Sequence, residues 1–174
     1  MLEAVIFVVF PFCMVYAAVS DMLSMTIANR VSLIMIATFA VVAPLTGMDW
    51  GIYGMHFAAA AVTLAITFAL FALGGMGGGD AKLMTATALW LGFDPLLVQY
   101  LLLAGVVGGV LTVAILKYRG SVLAAFTGSN PFLRHFADER QGVPYGIALG
   151  FAGLVTFPYS PLAVWALANL AVAS

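Results

Sequence analysis

Long runs of apolar residues, separated by short polar or glycine-rich stretches, make up most of this sequence. The runs predict six helical segments, at residues 3–20, 31–47, 52–73, 81–92, 95–116 and 144–173. A helix needs roughly 20 apolar residues to cross the ~30 Å hydrocarbon core of a bilayer, and fewer where the bilayer thins around it. The pattern therefore predicts an all-α, polytopic membrane protein with about six transmembrane helices.

The last segment is long for a single span and contains two prolines, Pro158 and Pro161. Proline removes a backbone hydrogen-bond donor, and its ring clashes with the preceding turn of a helix. We therefore expect a kink or a break in this segment. It forms either one bent span or two short helices, and the sequence leaves both alternatives open.

Composition supports a membrane location for the whole chain. Of the 174 residues, 64% are hydrophobic and 7% are charged, whereas a soluble domain carries about 25% charged residues. No polar stretch is long enough to fold as a separate soluble module, so we predict one domain over residues 1–174. The net charge of -1 gives no indication of nucleic-acid binding. The first apolar run follows Glu3 rather than a basic region, so we interpret it as a retained helix and not as a signal peptide.

The basic residues indicate how the chain is oriented in the membrane. All of them occur in alternate connections between the predicted segments, at Arg30, Lys82, Lys117, Arg119, Arg134 and Arg140. Lys and Arg are retained on the cytoplasmic side, so we predict both termini outside and a cytoplasmic loop over residues 117–143. Within that loop, Asn130 and Pro131 are suited to begin a short helix that lies on the membrane surface.

Two aspartates are the strongest candidates for chemistry. Ionisable side chains at membrane depth are costly, so each invites a functional explanation, and the predicted topology places Asp21 and Asp80 at the cytoplasmic ends of helices. Two carboxylates that share a site do not both ionise readily, which leaves one as general base and the other as general acid. The run 74–79 before Asp80 is glycine except for Met76, and glycine lets a substrate backbone approach closely.

Several of these residues also have simpler structural explanations. A single aspartate at a helix end is more often a solvated cap than a catalyst, and this is the simplest interpretation of Asp21 taken alone. Asp94 precedes Pro95 and is expected to cap a helix. Together with Asp49 it lies on the opposite predicted side from Asp21. Small residues four apart, which let helices pack closely, occur in the pairs Gly105 with Gly109 and Gly146 with Gly150.

Other hydrolytic chemistries have no support in the sequence. His56 and His135 lie on opposite predicted sides, and there is no H-E-x-x-H pair, so we predict no metal site. There is no G-x-S-x-G elbow, and Ser129 lies in a polar loop without an orienting histidine on a facing helix. The single cysteine, Cys13, lies inside the first apolar run and cannot build a thiolate zinc cluster. No cofactor is predicted.

Three short motifs resemble one family of membrane proteases. The stretch Gly77-Gly78-Gly79-Asp80-Ala81-Lys82-Leu83 resembles the G-x-G-D signature of intramembrane aspartyl proteases, in the G-G-G-D-x-K-L form of prepilin peptidases. Asp21 with Ile27-Ala28-Asn29-Arg30 resembles the family's D-x5-I-P-N segment, and Val143-Pro144-Tyr145-Gly146-Ile147-Ala148 resembles its P-Y-G segment. Ala28 stands where proline is usual, and no basic residue lies between Asp21 and Arg30. These departures bear on leader preference more than on chemistry.

The resemblance implies a function for nearly the whole chain. It implies that Asp21 and Asp80 are the catalytic pair of a GxGD aspartyl endopeptidase, which needs no cofactor. The implied partners are type IV prepilin or pseudopilin precursors, whose leaders are cut at the cytoplasmic face of the inner membrane. Residues implied to bind substrate or to shape the site are Gly77, Gly78, Gly79, Lys82, Asn29, Pro144, Tyr145 and Gly146. Homo-oligomerisation stays open.

Within this family the chain resembles the short, peptidase-only kind that is associated with Flp or Tad pili. Larger members carry a cytoplasmic region with paired C-x-x-C motifs and also methylate the new N-terminus, and this sequence has no such motif. Archaeal preflagellin peptidases share the same core. Presenilin-like proteases also use G-x-G-D, but they carry a P-A-L motif that is absent here.

Two alternatives come from other functional classes. In a small transporter or ion pathway, Asp80 and Lys82 would form a coupled charged site. Transporter sites lie near the bilayer midplane between internal repeats, whereas these residues lie at one predicted edge and the sequence has no convincing repeat. The chain could also be an inactive partner in a secretion assembly, with the fold retained and turnover lost.

Overall fold

The computed structural model describes residues 1–119, 121 and 142–173. Its α-helices are α1 (Leu2–Ser24), α2 (Asn29–Leu45), α3 (Trp50–Ala72), α4 (Gly78–Leu91), α5 (Pro95–Arg119), α6 (Gly146–Thr156) and α7 (Pro161–Ala173), with a 3-10 turn at Phe157–Tyr159. The regular structure of the described residues is helical throughout, which confirms the all-α prediction. The predicted surface helix that begins at Asn130 lies outside the described residues, as do Arg134 and Arg140.

Three of these helices, α1, α3 and α5, are long and apolar enough to cross a membrane, with 23, 23 and 25 residues. Helix α2 has 17 residues and α4 has 14. At 1.5 Å per residue, α4 is only about 21 Å long. The described helices therefore provide three candidate spans, or four when α6 and α7 count as one. The number six stays a prediction.

The last segment bends where the sequence has its prolines. Helices α6 and α7 meet at 46° across the turn Phe157–Tyr159 and Ser160. A hairpin would require the chain to reverse, and this bend is much smaller than a reversal. The predicted kink is confirmed, and the chain continues beyond it as the second half of a bent helix pair.

Helix α4 lies in the interior of the bundle. Every residue from Thr85 to Leu91 is buried, and the helix contacts α2, α3 and α6. Near its end the Trp90 indole N–H donates to the Met35 carbonyl at 3.1 Å, and Phe10 places its ring 5.1 Å from the Trp90 ring. Because other helices surround it, α4 can be shorter than a bilayer without exposing backbone groups to lipid.

Helix α6 packs between α1 and α5. A methyl group added to Gly150 would lie 2.8 Å from the Met14 carbonyl oxygen on α1, so α6 approaches the backbone of α1 closely. This confirms close packing at the pair Gly146 and Gly150. The prediction for Gly105 and Gly109 is wrong, because both are exposed and have no atom within 4 Å of an added methyl group.

The helix starts on the other side of the bundle follow local capping. Asp94 accepts a 2.8 Å hydrogen bond from the backbone N–H of Leu96, at the start of α5, which confirms its predicted role. Asp49 accepts in the same way from the N–H of Gly51, at 2.8 Å, and begins α3. Both carboxylates satisfy N–H groups that have no partner inside their own helix.

Candidate active site

One cavity of about 560 Å³ lies where α1 ends and where α4 and α6 begin. It is lined by Asp21, Met25, Gly74, Gly75, Met76, Gly77, Asp80, Met84, Leu101, Ala104, Gly105, Gly142, Val143 and Tyr145. The two aspartates proposed from the sequence therefore line the same cavity, although they belong to different helices. Tyr145 and Gly77, which the sequence also indicated, line it with them.

Asp21 lies near the end of α1 and is 6% exposed. The backbone N–H of Gly146, at the start of α6, donates to its Oδ2 atom at 2.7 Å. A methyl group on Gly146 would lie 2.8 Å from Cβ of Asp21 and 2.9 Å from Oδ2, which is too close for any larger residue. Gly146 therefore fixes one oxygen of Asp21, and the other oxygen accepts no hydrogen bond from the residues that the structure describes.

Asp80 lies in the first turn of α4, three residues after the N-cap Gly77. Its carboxyl group accepts a hydrogen bond from the Gly77 backbone N–H, which is half of a capping box. A methyl group on Gly77 would lie 2.8 Å from Oδ2 of Asp80. This cap begins α4 at Gly78, so the predicted start of the helix at residue 81 is wrong by three residues.

The electrostatics of the cavity favour a protonated carboxyl group. Asp80 lies outside the three long apolar helices, and burial raises the pKa of its carboxyl group to about 7. The nearby Asp21 carboxylate contributes to this rise in pKa, and the hydrogen bond from Gly77 opposes it. Asp80 therefore holds a proton near neutral pH much more readily than an ordinary aspartate does.

Tyr145 holds the segment that supplies Gly146. Its hydroxyl group donates to the Ala104 carbonyl on α5 at 3.2 Å, and its ring lies where a side chain on Gly108 would otherwise stand. Pro144, next to it, is buried and does not line the cavity. Together these contacts position the start of α6 so that the Gly146 N–H points at Asp21.

Lys82 and Asn29 contact each other and do not line the cavity. The Lys82 ammonium group donates to Oδ1 of Asn29 at 2.8 Å, and both residues are exposed. This bond joins the start of α4 to the start of α2. Lys82 is two residues from Asp80 and binds Asn29 rather than the aspartate, so the structure does not bring Lys82 and Asp80 together as a charged pair.

Gly78 and Gly79 serve packing rather than the cavity wall. A methyl group on Gly78 would lie 3.3 Å from the ring of Phe71, and one on Gly79 would lie 3.1 Å from Cβ of Ile27. The glycines allow the first turn of α4 to approach α3 on one side and the connection between α1 and α2 on the other. This close approach places Asp80 at the cavity.

Sequence analysis did not identify the apolar walls of the cavity, which are formed by Met25, Met76, Met84, Leu101 and Ala104. Met76 interrupts the glycine run, which was a usable signal. The others occupy apolar positions like many more in the chain, and only their contacts distinguish them. Among the described residues, no three His, Cys, Asp or Glu side chains cluster as a metal site. A pair of carboxyl groups is thus the chemistry that the described cavity offers.

A comparison with family models gives the identity of the chain. The model of the type IV leader peptidase family matches residues 8–113, which is more than half of the 174 residues. The chain belongs to the type IV leader peptidase family. No curated protein and no solved structure gives a significant match.

As a member of this family, the leader peptidase is a protease, and the family acts on prepilins. Its long apolar helices indicate a multi-pass membrane protein. The matched range contains Asp21 and Asp80 but ends before Tyr145 and Gly146. The structure links these later residues to the matched part of the chain through the Gly146 hydrogen bond to Asp21.

Proposed function

We propose that this leader peptidase is an intramembrane aspartyl endopeptidase in which Asp21 and Asp80 are the catalytic pair. The observation that carries the proposal is that both carboxyl groups line one cavity. Asp21 is held there by the distant Gly146 N–H, and Asp80 by the Gly77 N–H at the start of its own helix. Family membership supports leader peptidase activity in general. The cavity geometry supports the aspartic type.

The two carboxyl groups take complementary roles in this proposal. Ionised Asp21, with one oxygen bound to Gly146, uses its other oxygen to take a proton from a water molecule, which attacks the scissile carbonyl carbon. Protonated Asp80 donates its proton to the carbonyl oxygen as the tetrahedral intermediate forms. When the C–N bond breaks, Asp21 gives its proton to the leaving amine, and Asp80 takes a proton back from a hydroxyl group of the intermediate as the new carboxyl group forms. Both aspartates then regain their starting states.

The active site faces the cytoplasm in this proposal, in the inner membrane. The cavity lies at the end of α1 and the starts of α4 and α6. By the order of the helices, α2 starts and α5 ends on the same side, and these helix ends carry Arg30, Lys82, Lys117 and Arg119. The other helix ends, near Asp49 and Asp94, carry acidic caps instead. Positive residues are retained on the cytoplasmic side, so this charge distribution supports cleavage at that face.

The proposed substrates are the leaders of type IV pilin-like precursors of the Flp or Tad kind, with peptide cleavage as the single activity. The sequence has one cysteine, which is buried at Cys13, and therefore no cluster of the kind found in family members that also methylate. Gly74, Gly75 and Gly77 form one wall of the cavity, where the lack of side chains leaves room for an extended substrate backbone.

The proposal is tested by incubating the purified full-length protein in detergent with a synthetic prepilin that carries its leader. We expect one cut at the leader junction, detected by mass spectrometry of both products. A transporter or an inactive assembly partner would leave the precursor intact. Intact precursor with every Flp-type and type IV prepilin tried would refute the proposed activity.

A further inference from the structure

The side chain of Ile27 packs between two glycines of different elements. Ile27 belongs to the connection between α1 and α2. A methyl group on Gly79 would lie 3.1 Å from Cβ of Ile27, and one on Gly146 would lie 2.9 Å from its Cδ1 atom. Both distances are below ordinary contact, so a single isoleucine fills the space that the two glycines leave.

Each of these glycines is directly connected to one aspartate, by a peptide bond or by a hydrogen bond. Gly79 directly precedes Asp80 in the first turn of α4. The N–H of Gly146 donates to Asp21. Ile27 therefore contacts the glycine next to each aspartate. Its Cβ atom lies against Gly79, which precedes Asp80, and its Cδ1 atom lies against Gly146, which binds Asp21. No other described side chain meets both glycines among their nearest neighbours.

The connection that carries Ile27 is itself fixed to α1. The Ser20 hydroxyl group donates to the Thr26 carbonyl at 2.8 Å, and the hydroxyl groups of Ser24 and Thr26 are 2.8 Å apart. Met25, at the end of α1, has a left-handed φ of 54°, which turns the chain sharply before Ile27. An isoleucine side chain is also stiff, because branching at Cβ restricts its first torsion angle.

We infer that Ile27 is a positioning residue that sets the separation of the Asp21 and Asp80 carboxyl groups. The inference rests on the proposed function, since an aspartyl peptidase needs both groups at a fixed distance from one water molecule. Protein interiors are packed densely enough that the loss of one methyl group is felt by the neighbours. A shorter side chain at position 27 lets the starts of α4 and α6 shift toward each other.

Kinetics with a prepilin substrate test the inference. Ile27→Val removes only Cδ1, the contact with Gly146, and Ile27→Ala also removes the carbons beyond Cβ. Misplacement of catalytic groups by about 1 Å costs roughly 100-fold in rate, so we expect kcat to fall by about 10- to 100-fold in Ile27→Ala and less in Ile27→Val, with KM changed by less than about threefold. Ile27→Leu, which restores the volume, should recover part of kcat.

Ile6 provides the matched control. It is buried in the core at 0% exposure and is not a cavity residue. Ile6→Val and Ile6→Ala should lower the melting temperature at least as much as the changes at position 27 and leave kcat within about twofold. If the Ile27 and Ile6 variants lose kcat only in proportion to their loss of folded protein, Ile27 has a structural role alone and the inference is wrong.

A second measurement is independent of peptidase activity. Asp21→Cys and Asp80→Cys are combined in a Cys13→Ala background, and the pair is joined with thiol cross-linkers of increasing length. Ile27→Ala should shift the length that reacts fastest, and Ile6→Ala should not. If Ile27→Ala leaves the preferred cross-linker length unchanged, the inference is wrong, whatever Ile27→Ala does to kcat in the protein that retains both aspartates. Absence of cleavage by the wild-type protein would refute the proposed function, and the cross-linking result would still decide the geometry.

Discussion

The backbone N–H of Gly146 donates a 2.7 Å hydrogen bond to Oδ2 of Asp21, across 125 positions of sequence. This bond joins α1 to the start of α6. It also orients the carboxyl group that we propose as general base. The two residues therefore determine each other's environment, since Asp21 occupies the space that a side chain on Gly146 would need.

The two aspartates should be required individually for cleavage. Water activation needs one carboxyl group as base and the other as acid, so Asp21→Asn and Asp80→Asn should each lower the cleavage rate by at least about 1,000-fold. Asp49→Asn and Asp94→Asn are matched controls, because asparagine still caps a helix, and they should retain wild-type rates. A dyad variant that processes prepilin normally would eliminate the proposed mechanism.

Gly146→Ala should lose activity through a backbone contact. The added methyl group would press on Asp21 and on Ile27 at about 2.8–2.9 Å, which forces α6 away and costs about 1–3 kcal/mol of stability. Gly109→Ala is the control, since nothing lies within 4 Å of its added methyl group, and it should retain full activity. Equal cleavage rates in the two variants would show that the Gly146 contact does not matter. Thermal unfolding would report the stability difference.

The pH dependence should reflect Asp80. Burial raises the pKa of this carboxyl group from 3.8 to about 7, so its protonated fraction falls as the pH rises through 7. Because Asp80 is proposed as the acid, the cleavage rate should decline above that pH. Between pH 3.8 and about 7 the folded protein binds more protons at Asp80 than the unfolded chain does. Its contribution to stability should then fall as the pH rises.

The contribution of Asp80 to stability can be measured by thermal unfolding in detergent at a series of pH values. Asp80→Asn should weaken the decline that we expect for the wild-type protein between pH 4 and 7, whereas Asp94→Asn should leave it unchanged. If Asp80→Asn instead made the decline steeper, Asp80 would be ionised more easily in the folded protein than in the unfolded chain.

Thiol labelling should trace the cavity along α4. In a Cys13→Ala background, single cysteines at positions 80 and 84 should react with a membrane-impermeant reagent from the cytoplasmic side, because Asp80 and Met84 line the cavity. A cysteine at position 88 should not react, since Ala88 is 0% exposed. Labelling of position 80 only from the outside would reverse the proposed orientation.

The local features of the fold follow from the sequence by itself. The apolar runs locate the helices, because only a helix satisfies its own backbone in lipid. The prolines at 158 and 161 determine the 46° bend, and Asp94 before Pro95 determines the start of α5. The motifs around Asp21 and Asp80 identify the family that the comparison confirms. Each of these depends on residues that are neighbours in sequence.

Tertiary structure decided which of these residues act together. Composition does not show that α4 is enclosed by other helices while others face lipid, because lipid and protein interior are both apolar. For the same reason the sequence does not show which glycine of α5 is a packing site. In the structure Gly108 packs against Tyr145, whereas Gly105 and Gly109 have no atom within 4 Å of an added methyl group. The cavity walls, the pairing of Lys82 with Asn29 and the place of Ile27 between Gly79 and Gly146 depend on long-range contacts. Such contacts are set by how whole helices pack, which no local pattern encodes.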